Sequence, residues 1–312
     1  MKTMAILSAL MLSVTGMTIP TLNSKPILGR SFEHAPSIGT SFLQSLDFSH
    51  KNHKRIIGGF EMTEHGASYI VHLTLQGPTV PYVCGGTIIS PTTIVTAAHC
   101  VYNIDGEAYP VQNITVGYGS SKRSEQQTTT PIEVVVHPKY SPGFGPNGLG
   151  TNDIAIINIP ELAMDETTSS IRIYNHLLET GNEALALGWG SDRVDHAMDP
   201  QPDNLKGVVV AIGDKDRCHE EDASYVSPNG DEICTLNSYH PGNTSCKGDS
   251  GTGLVIKYGD YYYLTGLTSE GNSPDGNFCG IKSGFVMYTN VRSHLDFISW
   301  ASGIDGSLFL GP

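Results

Sequence analysis

Short runs of apolar residues follow one another along the chain from residue 56 onward, separated by Gly, Pro, Asn and Ser. Valine, isoleucine, tyrosine and threonine are enriched in these runs, which is typical of β-strands. The runs lie at residues 69–75, 86–98, 131–137, 153–159, 184–189, 207–212, 252–258, 261–267 and 284–291. Their regular spacing predicts an all-β barrel or sandwich.

Helical spacing of apolar residues occurs in the C-terminal segment VRSHLDFISWASG (291–303). It predicts a helix with Leu295, Ile298 and Trp300 on its buried side. Residues 141–151, SPGFGPNGLGT, are rich in Gly and Pro, which predicts a surface loop. We find no repeat of solenoid length and no coiled-coil heptads.

The first 55 residues lack this strand pattern. Residues 1–16 combine Lys2 with a short apolar run and small residues, which predicts a secretory signal. Residues 17–55 are rich in Ser, Pro, His and Gly and are interpreted as a pro-segment. No later segment is long enough to span a membrane, so a secreted, extracellular domain at 56–312 is predicted.

The charge of the chain is strongly negative. It has 312 residues, with 18 Lys and Arg against 31 Asp and Glu. Residues 1–55 hold six of the bases and two of the acids, so the remainder carries 12 against 29, a net charge of −17. Such a domain is expected to repel nucleic acid and anionic membranes.

Six cysteines lie at positions 84, 100, 218, 234, 246 and 279. An even number behind a secretory signal predicts disulfides, although six cysteines allow fifteen pairings. No C-x-x-C occurs, and HEED at 219–222 lacks the second histidine of H-E-x-x-H. A zinc site is therefore not expected.

Three fragments carry residues suited to catalysis: TAAHC (96–100), NDIAI (152–156) and CKGDSG (246–251). A serine hydroxyl needs an adjacent base to become a nucleophile, and an imidazole needs a carboxylate to fix its tautomer. Taken singly, His99 fits a core histidine, Asp153 a turn cap and Ser250 a flexible loop. Their joint presence favours a nucleophilic site.

RIIGG, CGGTII, TAAHC, NDIAI, LGWG and CKGDSG, in this order, resemble the chymotrypsin-like serine peptidases over about residues 56–302. The resemblance implies two six-stranded antiparallel β-barrels with the active site between them and a C-terminal helix. The order His, Asp, Ser matches this family, whereas subtilisins and α/β-hydrolases use other orders. GDSGT (248–252) also lacks the last glycine of G-x-S-x-G.

The resemblance implies a role for each of these residues. Ser250 would be the nucleophile, His99 the general base and then acid, and Asp153 the orienting carboxylate. The N–H groups of Gly248 and Ser250 would stabilise the oxyanion. The disulfides would join Cys84 to Cys100, Cys218 to Cys234 and Cys246 to Cys279.

The stretch KNHKRIIGGF (51–60) acquires a meaning from the same resemblance. Cleavage between Arg55 and Ile56 would free an α-ammonium that pairs with Asp249, so the protein would be made as a zymogen. Because Lys54 and Arg55 are dibasic, either a secretory processing protease or a trypsin could be the activating protease. An ordinary linker is the alternative.

The resemblance also places the residues of the specificity pocket. Thr244 would form the floor, where trypsins have an aspartate, and the walls would come from Ser269, Glu270, Gly271 and Val286. Small or medium uncharged residues are therefore expected before the scissile bond. Glu270 replaces a tryptophan, either as a subsite for basic residues or as a solvated side chain.

The remaining expectations concern ligands, glycans and rival functions. Sequons occur at Asn113 and Asn243, and only Asn113 is expected to carry a glycan. The stretch 117–131 has a single acid, so we expect neither a calcium site nor any other metal or cofactor. A monomer acting on protein or peptide substrates is predicted, and esterase activity would be a side reaction. The rival is a catalytically impaired relative that acts as an inhibitor or binding protein.

Overall fold

The computed structural model describes residues 59–63, 66–77, 81–102, 107–142, 150–191, 201–272, 279 and 284–312. These residues belong to one compact unit, His34–Pro312. The predicted signal (1–16) and pro-segment (17–55), with Arg55 and Ile56, lie outside the described residues, as does most of the predicted loop at 141–151.

The described residues form fourteen strands and three α-helices. The strands are β1 Phe60–Glu61, β2 Ile70–Gln76, β3 Pro81–Ser90, β4 Thr93–Thr96, β5 Ile114–Tyr118, β6 Gln127–Thr129, β7 Glu133–Val136, β8 Ala155–Asn158, β9 Glu183–Gly188, β10 Lys206–Ala211, β11 Glu232–Leu236, β12 Gly253–Tyr258, β13 Tyr261–Asn272 and β14 Phe285–Asn290. The helices are α1 Ala98–Val101, α2 Lys215–Glu221 and α3 Leu295–Ser302. Short 3-10 turns lie at Val111–Asn113, Arg123–Glu125, Val291–His294 and Gly306–Phe309.

The N-terminal half of the fold is an antiparallel sheet with the strand order β6-β5-β2-β3-β4-β8-β7. Its outer strands β6 and β7 are consecutive in the chain and only residues 130–132 separate them, so the sheet curls until its edges meet. Pro131 lies in this gap, and it has no N–H to donate to a ladder. The predicted run at 131–137 forms β7 alone, and β6 ends before it begins.

The second sheet is also antiparallel, with the order β1-β10-β9-β12-β13-β14-β11. An isolated bridge between Ile212 and Thr235 joins the end of β10 to β11 and so connects strands from opposite parts of this order. The two-residue strand β1 adds a seventh member on β10. The predicted all-β class, with two antiparallel sheets and a C-terminal helix, is confirmed, with seven strands in each sheet.

Most apolar runs in the sequence are strands in the structure, with two kinds of difference. The run 86–98 is divided, because Pro91 and Thr92 form the turn between β3 and β4, and α1 begins at Ala98. Strands β1, β5, β6 and β11 and helix α2 were not predicted. Strand β6 is mostly exposed and polar, so it carries no apolar signal.

The side of α3 that faces the core differs from the prediction at one residue. Ile298 is fully buried and Phe297 nearly so, whereas Trp300 is 68% exposed. The prediction for Trp300 was therefore wrong, because Phe297 occupies the core-facing position one residue before Ile298. Gly303, with φ +70°, ends the helix in the left-handed conformation.

Alternate residues of the buried strands pack in different clusters, which explains their unbroken apolar sequence. In β9, Ala184 packs inside the C-terminal sheet, whereas Leu185 joins a cluster shared by both sheets. In β4, Ile94 packs inside the N-terminal sheet and Val95 in the shared cluster. Because the shared cluster contains residues of both sheets, the two sheets pack against each other.

Three disulfides join Cys84 to Cys100, Cys218 to Cys234 and Cys246 to Cys279, which are the pairs that the family resemblance implies. The first ties β3 to α1, and the second ties α2 to β11. Among the described residues, no helix is long and apolar enough to cross a membrane.

We expect Leu73→Ala to lower the free energy of unfolding by about 2–5 kcal/mol, because Leu73 is fully buried inside the N-terminal sheet and its loss leaves a cavity. Urea denaturation measures the change. Leu308, which is 67% exposed, supplies the matched control, and Leu308→Ala should change the same quantity by less than about 0.5 kcal/mol. Equal effects of the two substitutions would contradict the assignment of the core.

Candidate active site

His99 and Asp153 form a tightly bonded pair. His99 lies on α1, directly after β4, and Asp153 lies just before β8, the strand that pairs with β4. The backbone N–H of His99 donates to Asp153 Oδ1 at 2.8 Å, and its Nδ1 lies 2.7 Å from Oδ2. Because a carboxylate only accepts hydrogen bonds, Nδ1 carries the proton and Nε2 of the neutral ring is left as an acceptor.

The backbone before Asp153 adopts an uncommon conformation. Asn152 has φ +52°, in the left-handed region that few residues other than glycine occupy. Its side-chain amide donates to the carbonyl of Lys139 at 3.1 Å, and its own carbonyl accepts from the N–H of Ile154 at 2.8 Å. This turn directs the Asp153 side chain inward, where it is 2% exposed.

The second sheet completes the surroundings of Asp153. The hydroxyl of Ser269, on β13, donates to Oδ2 at 2.5 Å, and the hydroxyl of Thr289, on β14, donates to the Asp153 carbonyl at 2.8 Å. Both contacts cross from the C-terminal sheet to a residue of the N-terminal sheet. Asp153 therefore lies where the two sheets meet.

These contacts shift the pKa of both partners. Burial alone would raise the pKa of Asp153, but the charge and hydrogen bonds of His99, with the hydroxyl of Ser269, hold it below its usual value. Burial would lower the pKa of His99, but the charge and hydrogen bond of Asp153 and the charge of Glu270 raise it. The pair is thus suited to keep a carboxylate ionised beside an imidazole that readily accepts a proton.

Ser250 lies in the turn that leads into β12. The turn is fixed on both sides, since the N–H of Asp249 donates to the carbonyl of Cys246 at 3.0 Å and that of Gly251 to the carbonyl of Thr268 at 2.7 Å. Among the described residues, by contrast, the N–H groups of Gly248 and Ser250 have no acceptor. Two free donors on one turn provide a place where an anionic oxygen could bind.

The hydroxyl of Ser250 is not bonded to His99 in the part of the chain that the structure describes. The phenol of Tyr82, on β3, lies near this hydroxyl. Such contacts between nucleophile and base are often loose before substrate binds. Tyr82 was not singled out in the sequence, where it reads as an ordinary aromatic strand residue.

Asp249 is fully buried beside Ser250. Its Oδ1 accepts from the N–H of Gly190 at 2.7 Å and its Oδ2 from the N–H of Cys246 at 2.8 Å. A Cβ atom on Gly188 or Gly190 would overlap this carboxyl group, so the two glycines of LGWG leave the space that it fills. Burial raises the pKa of Asp249 to about 7, although the two N–H donors and the charge of Lys206 act in the opposite direction.

A small cavity of about 120 Å³ adjoins Ser250. It is lined by Ser245, Cys246, Lys247, Ser250, Thr268, Ser269, Glu270, Gly271 and Val286. Four of the five residues predicted for the pocket line it, namely Ser269, Glu270, Gly271 and Val286. Thr244, the predicted floor, does not line it, because its hydroxyl donates to the Ser245 carbonyl at 3.1 Å and it is 1% exposed.

Glu270 is half-buried, and its carboxylate accepts a hydrogen bond from the backbone. It is therefore not the solvated side chain that was one of the two expectations. Its Oε1 accepts from the N–H of Gly150 at 2.5 Å. Burial, followed by the charge of Asp153, raises its pKa, while the Gly150 bond and His99 act against the rise. Its carboxylate lies beside the His99–Asp153 pair.

The described residues contain one group of possible metal ligands, Cys84, His99 and Cys100. Both cysteines belong to one disulfide, so neither offers a thiolate to a metal. Among the sequons, Asn243 donates its amide to the carbonyl of Val209 at 3.0 Å, whereas Asn113 is half-buried at the end of a 3-10 turn.

Comparison with known proteins gives a consistent result. The sequence model of the family described as Trypsin matches residues 56–298. Two proteins of Drosophila melanogaster, Serine protease 1 and Serine protease 2, are each 30% identical to this chain over 258 residues, which cover 80% of this chain and 86% of each relative. Trypsin eta of the same organism is 28% identical over 253 residues, which cover 78% of this chain and 87% of the relative.

We expect Glu270→Gln to lower the pKa of His99, because the substitution removes a negative charge that favours the imidazolium. An NMR titration of the imidazole signals measures the shift. Glu161→Gln, at an exposed glutamate outside the site, is the control and should leave the His99 titration unchanged. A pKa of His99 that stays the same or rises in Glu270→Gln would contradict the electrostatic assignment.

Proposed function

Because the chain belongs to the trypsin family of serine proteases, we propose that it is a serine endopeptidase that uses Ser250, His99 and Asp153. The observation that carries the proposal is the buried Asp153 carboxylate, bonded at 2.7 Å to His99 Nδ1. This bond leaves Nε2 as the base, and the turn of Ser250 presents two N–H groups that have no acceptor among the described residues. The three residues supply nucleophile, base and orienting carboxylate.

The reaction would proceed in two stages. The Ser250 hydroxyl turns to His99 Nε2, and its oxygen bonds to the carbonyl carbon of the scissile peptide while its proton passes to Nε2. The carbonyl electron pair moves onto oxygen, which the N–H groups of Gly248 and Ser250 stabilise. His99 then gives its proton to the departing amine as the C–N bond breaks, and a water molecule cleaves the resulting ester by the same route.

Asp249 supports a zymogen mechanism. Its carboxyl group is fully buried, and burial raises its pKa to about 7, so ionising it near neutral pH is less favourable than for an ordinary aspartate. An α-ammonium freed at Ile56 by cleavage after Arg55 would stabilise the ionised form and lower this pKa again. The pairing of the α-ammonium with Asp249 would fix the turn that carries Gly248 and Ser250. The activating protease that cuts after Arg55 would therefore control when the turn forms.

The setting of the reaction follows from the same features. A signal at residues 1–16 and three disulfides support secretion into an oxidising, extracellular compartment. The negative charge of the domain supports protein or peptide substrates rather than nucleic acid or membranes. We propose a monomer with a glycan at Asn113, since the Asn243 amide is already bonded.

The cavity beside Ser250 supports cleavage after small or medium uncharged residues. Its volume is about 120 Å³, and Val286 lines it where a glycine would leave more room. Glu270 lies near His99 and binds the Gly150 N–H, so its carboxylate is directed to the side of the triad. A cation placed in this cavity would not meet the carboxylate that trypsins supply at the position of Thr244.

The rival predicted from the sequence, an impaired relative that binds without cutting, is not favoured by the comparisons. The relatives reported above are named serine proteases and trypsins. That Ser250 and His99 are not bonded among the described residues also fits an enzyme without substrate. Labelling of the nucleophile separates the two possibilities.

A fluorophosphonate probe tests the nucleophile and the switch together. We expect an adduct on Ser250 in protein cut to begin at Ile56, and none in intact Arg55→Gln protein, where the turn lacks its ammonium partner. Intact mass and peptide mapping locate the adduct. Ser250→Ala, cut at the same bond, is the control and should carry no label. Full labelling of intact Arg55→Gln would overturn the switch, and no labelling of cut protein would overturn the enzyme.

Widening the cavity should change the preferred residue before the scissile bond. We expect Val286→Gly to raise kcat/KM for phenylalanine relative to alanine at that position by on the order of tenfold, because the added space accepts the ring. Paired peptide anilides measure the ratio. Val226→Gly removes an equal side chain that is 67% exposed, and it should leave the ratio unchanged. An unchanged ratio in Val286→Gly would contradict the assigned pocket.

A further inference from the structure

The side-chain amide of Gln201 fills the place that a side chain at position 248 would occupy. Gly248 has φ +97°, a conformation that L residues rarely adopt. A Cβ atom built there would overlap Gln201 Nε2 and would lie 3.3 Å from the Cα of Gly190. The amide of Gln201 and the backbone at Gly190 therefore both pack closely against Gly248.

Two donors fix the orientation of this amide. Arg123 Nη1 donates to Gln201 Oε1 at 3.2 Å, and His72 Nε2 lies 3.4 Å from the same oxygen. Because a guanidinium can only donate, the atom that it contacts must be the carbonyl oxygen, so the amide nitrogen is directed to Gly248. Arg123 Nη2 also donates to the backbone carbonyl of Gln201 at 2.7 Å.

The two donors are themselves held in place. Arg123 Nε donates to the carbonyl of Pro202 at 3.0 Å, so a single guanidinium fixes two consecutive residues. Burial and the charge of Arg123 lower the pKa of His72 to about 4, which keeps its ring neutral at pH 7. The hydroxyl of Thr74 lies 3.5 Å from His72 Nδ1, and the edge of the ring meets Trp189. Nε2 is thereby the nitrogen that donates to Gln201.

The peptide before Gly248 is clamped as well. The N–H of Ser191 donates to the carbonyl of Lys247 at 2.8 Å, which fixes the plane of the Lys247–Gly248 peptide. With its carbonyl bonded in this way, the N–H of Gly248 is directed to the opposite side of that plane. Gly248 has no side chain to restrict the movement of its backbone. The amide of Gln201 packs where that side chain would lie and restricts this movement.

We infer that Gln201 is a positioning residue for the oxyanion turn: anchored by Arg123 and His72, its amide holds the Gly248 N–H in the orientation that receives the oxyanion. This rests on the proposed function, in which the Gly248 N–H is a donor to that oxyanion. Gln201 itself need not touch the substrate, because it acts through the backbone of Gly248. The residue carries no motif and lies 47 positions before Gly248 in the chain.

The test compares a ligand that forms an oxyanion with one that does not. We expect Gln201→Ala, cut to begin at Ile56, to lose roughly tenfold to a hundredfold in kcat with little change in KM, since a misplaced donor weakens the transition state selectively. A tripeptide aldehyde ending in alaninal bonds to Ser250 and forms a hemiacetal, whereas the matching alcohol does not. The affinity ratio of aldehyde to alcohol should fall by a similar factor.

Gln126→Ala is the matched control, because the Gln126 side chain likewise covers a glycine, Gly117 on β5. It should leave kcat and the affinity ratio unchanged. If Gln201→Ala does not fold, Gln201→Met replaces it, because methionine fills the same space but cannot bond to Arg123. The affinity ratio of aldehyde to alcohol should fall in this variant as well.

A Gln201 variant that keeps the wild-type affinity ratio of aldehyde to alcohol, or that binds both ligands equally more weakly, would overturn the inference. Peptide turnover by the wild-type enzyme would uphold the proposed function in that case. A wild-type enzyme that neither turns over peptide nor forms the hemiacetal would overturn both.

Discussion

The buried carboxylate of Asp153 is the constraint on which the rest of the site depends. An ionised group removed from water must be surrounded by donors, or the cost of burial would neutralise it. Its donors come from both sheets: His99 from the first, and Ser269 from the second. The need of the Asp153 carboxylate for hydrogen-bond donors therefore brings the two sheets together at this residue. The cleft and His99 lie at the same junction.

Asp249 poses the same physical problem with a different solution. Backbone N–H groups of Gly190 and Cys246 donate to its oxygens, and its pKa rises to about 7 where that of Asp153 falls. The difference lies in the hydrogen-bond partners. The imidazole of His99 outweighs the effect of burial on the Asp153 carboxylate, whereas the two backbone amides do not outweigh it for Asp249. One carboxylate is stable as it stands, and the other is suited to receive a cation.

The turn around Ser250 links these two carboxylates to the substrate cleft. Its carbonyl groups and the Asp249 N–H are used to hold the turn, and the N–H groups of Gly248 and Ser250 have no acceptor in the part of the chain that the structure describes. Free donors in a folded protein are costly unless water or a ligand occupies them. Support for such a turn must come from outside it, and Gly190, Ser191 and Gln201 provide that support from the neighbouring segments.

The sequence by itself determined the strand class and the three fragments that hold His99, Asp153 and Ser250, because these depend on local patterns, and it gave the number of cysteines directly. It did not reveal the polar strand β6, and it placed Trp300 on the wrong side of α3, since burial there depends on what packs against the helix.

Only the tertiary structure brought Ser269 to Asp153 across 116 positions, Tyr82 to Ser250 and Gln201 to Gly248. Thr244 stood at the predicted distance along the chain, yet its neighbour Ser245 lines the cavity instead. Spacing along the chain places a residue only relative to its neighbours in sequence. Which side chains line a cavity, and which donors meet a buried charge, is decided when distant strands pack together.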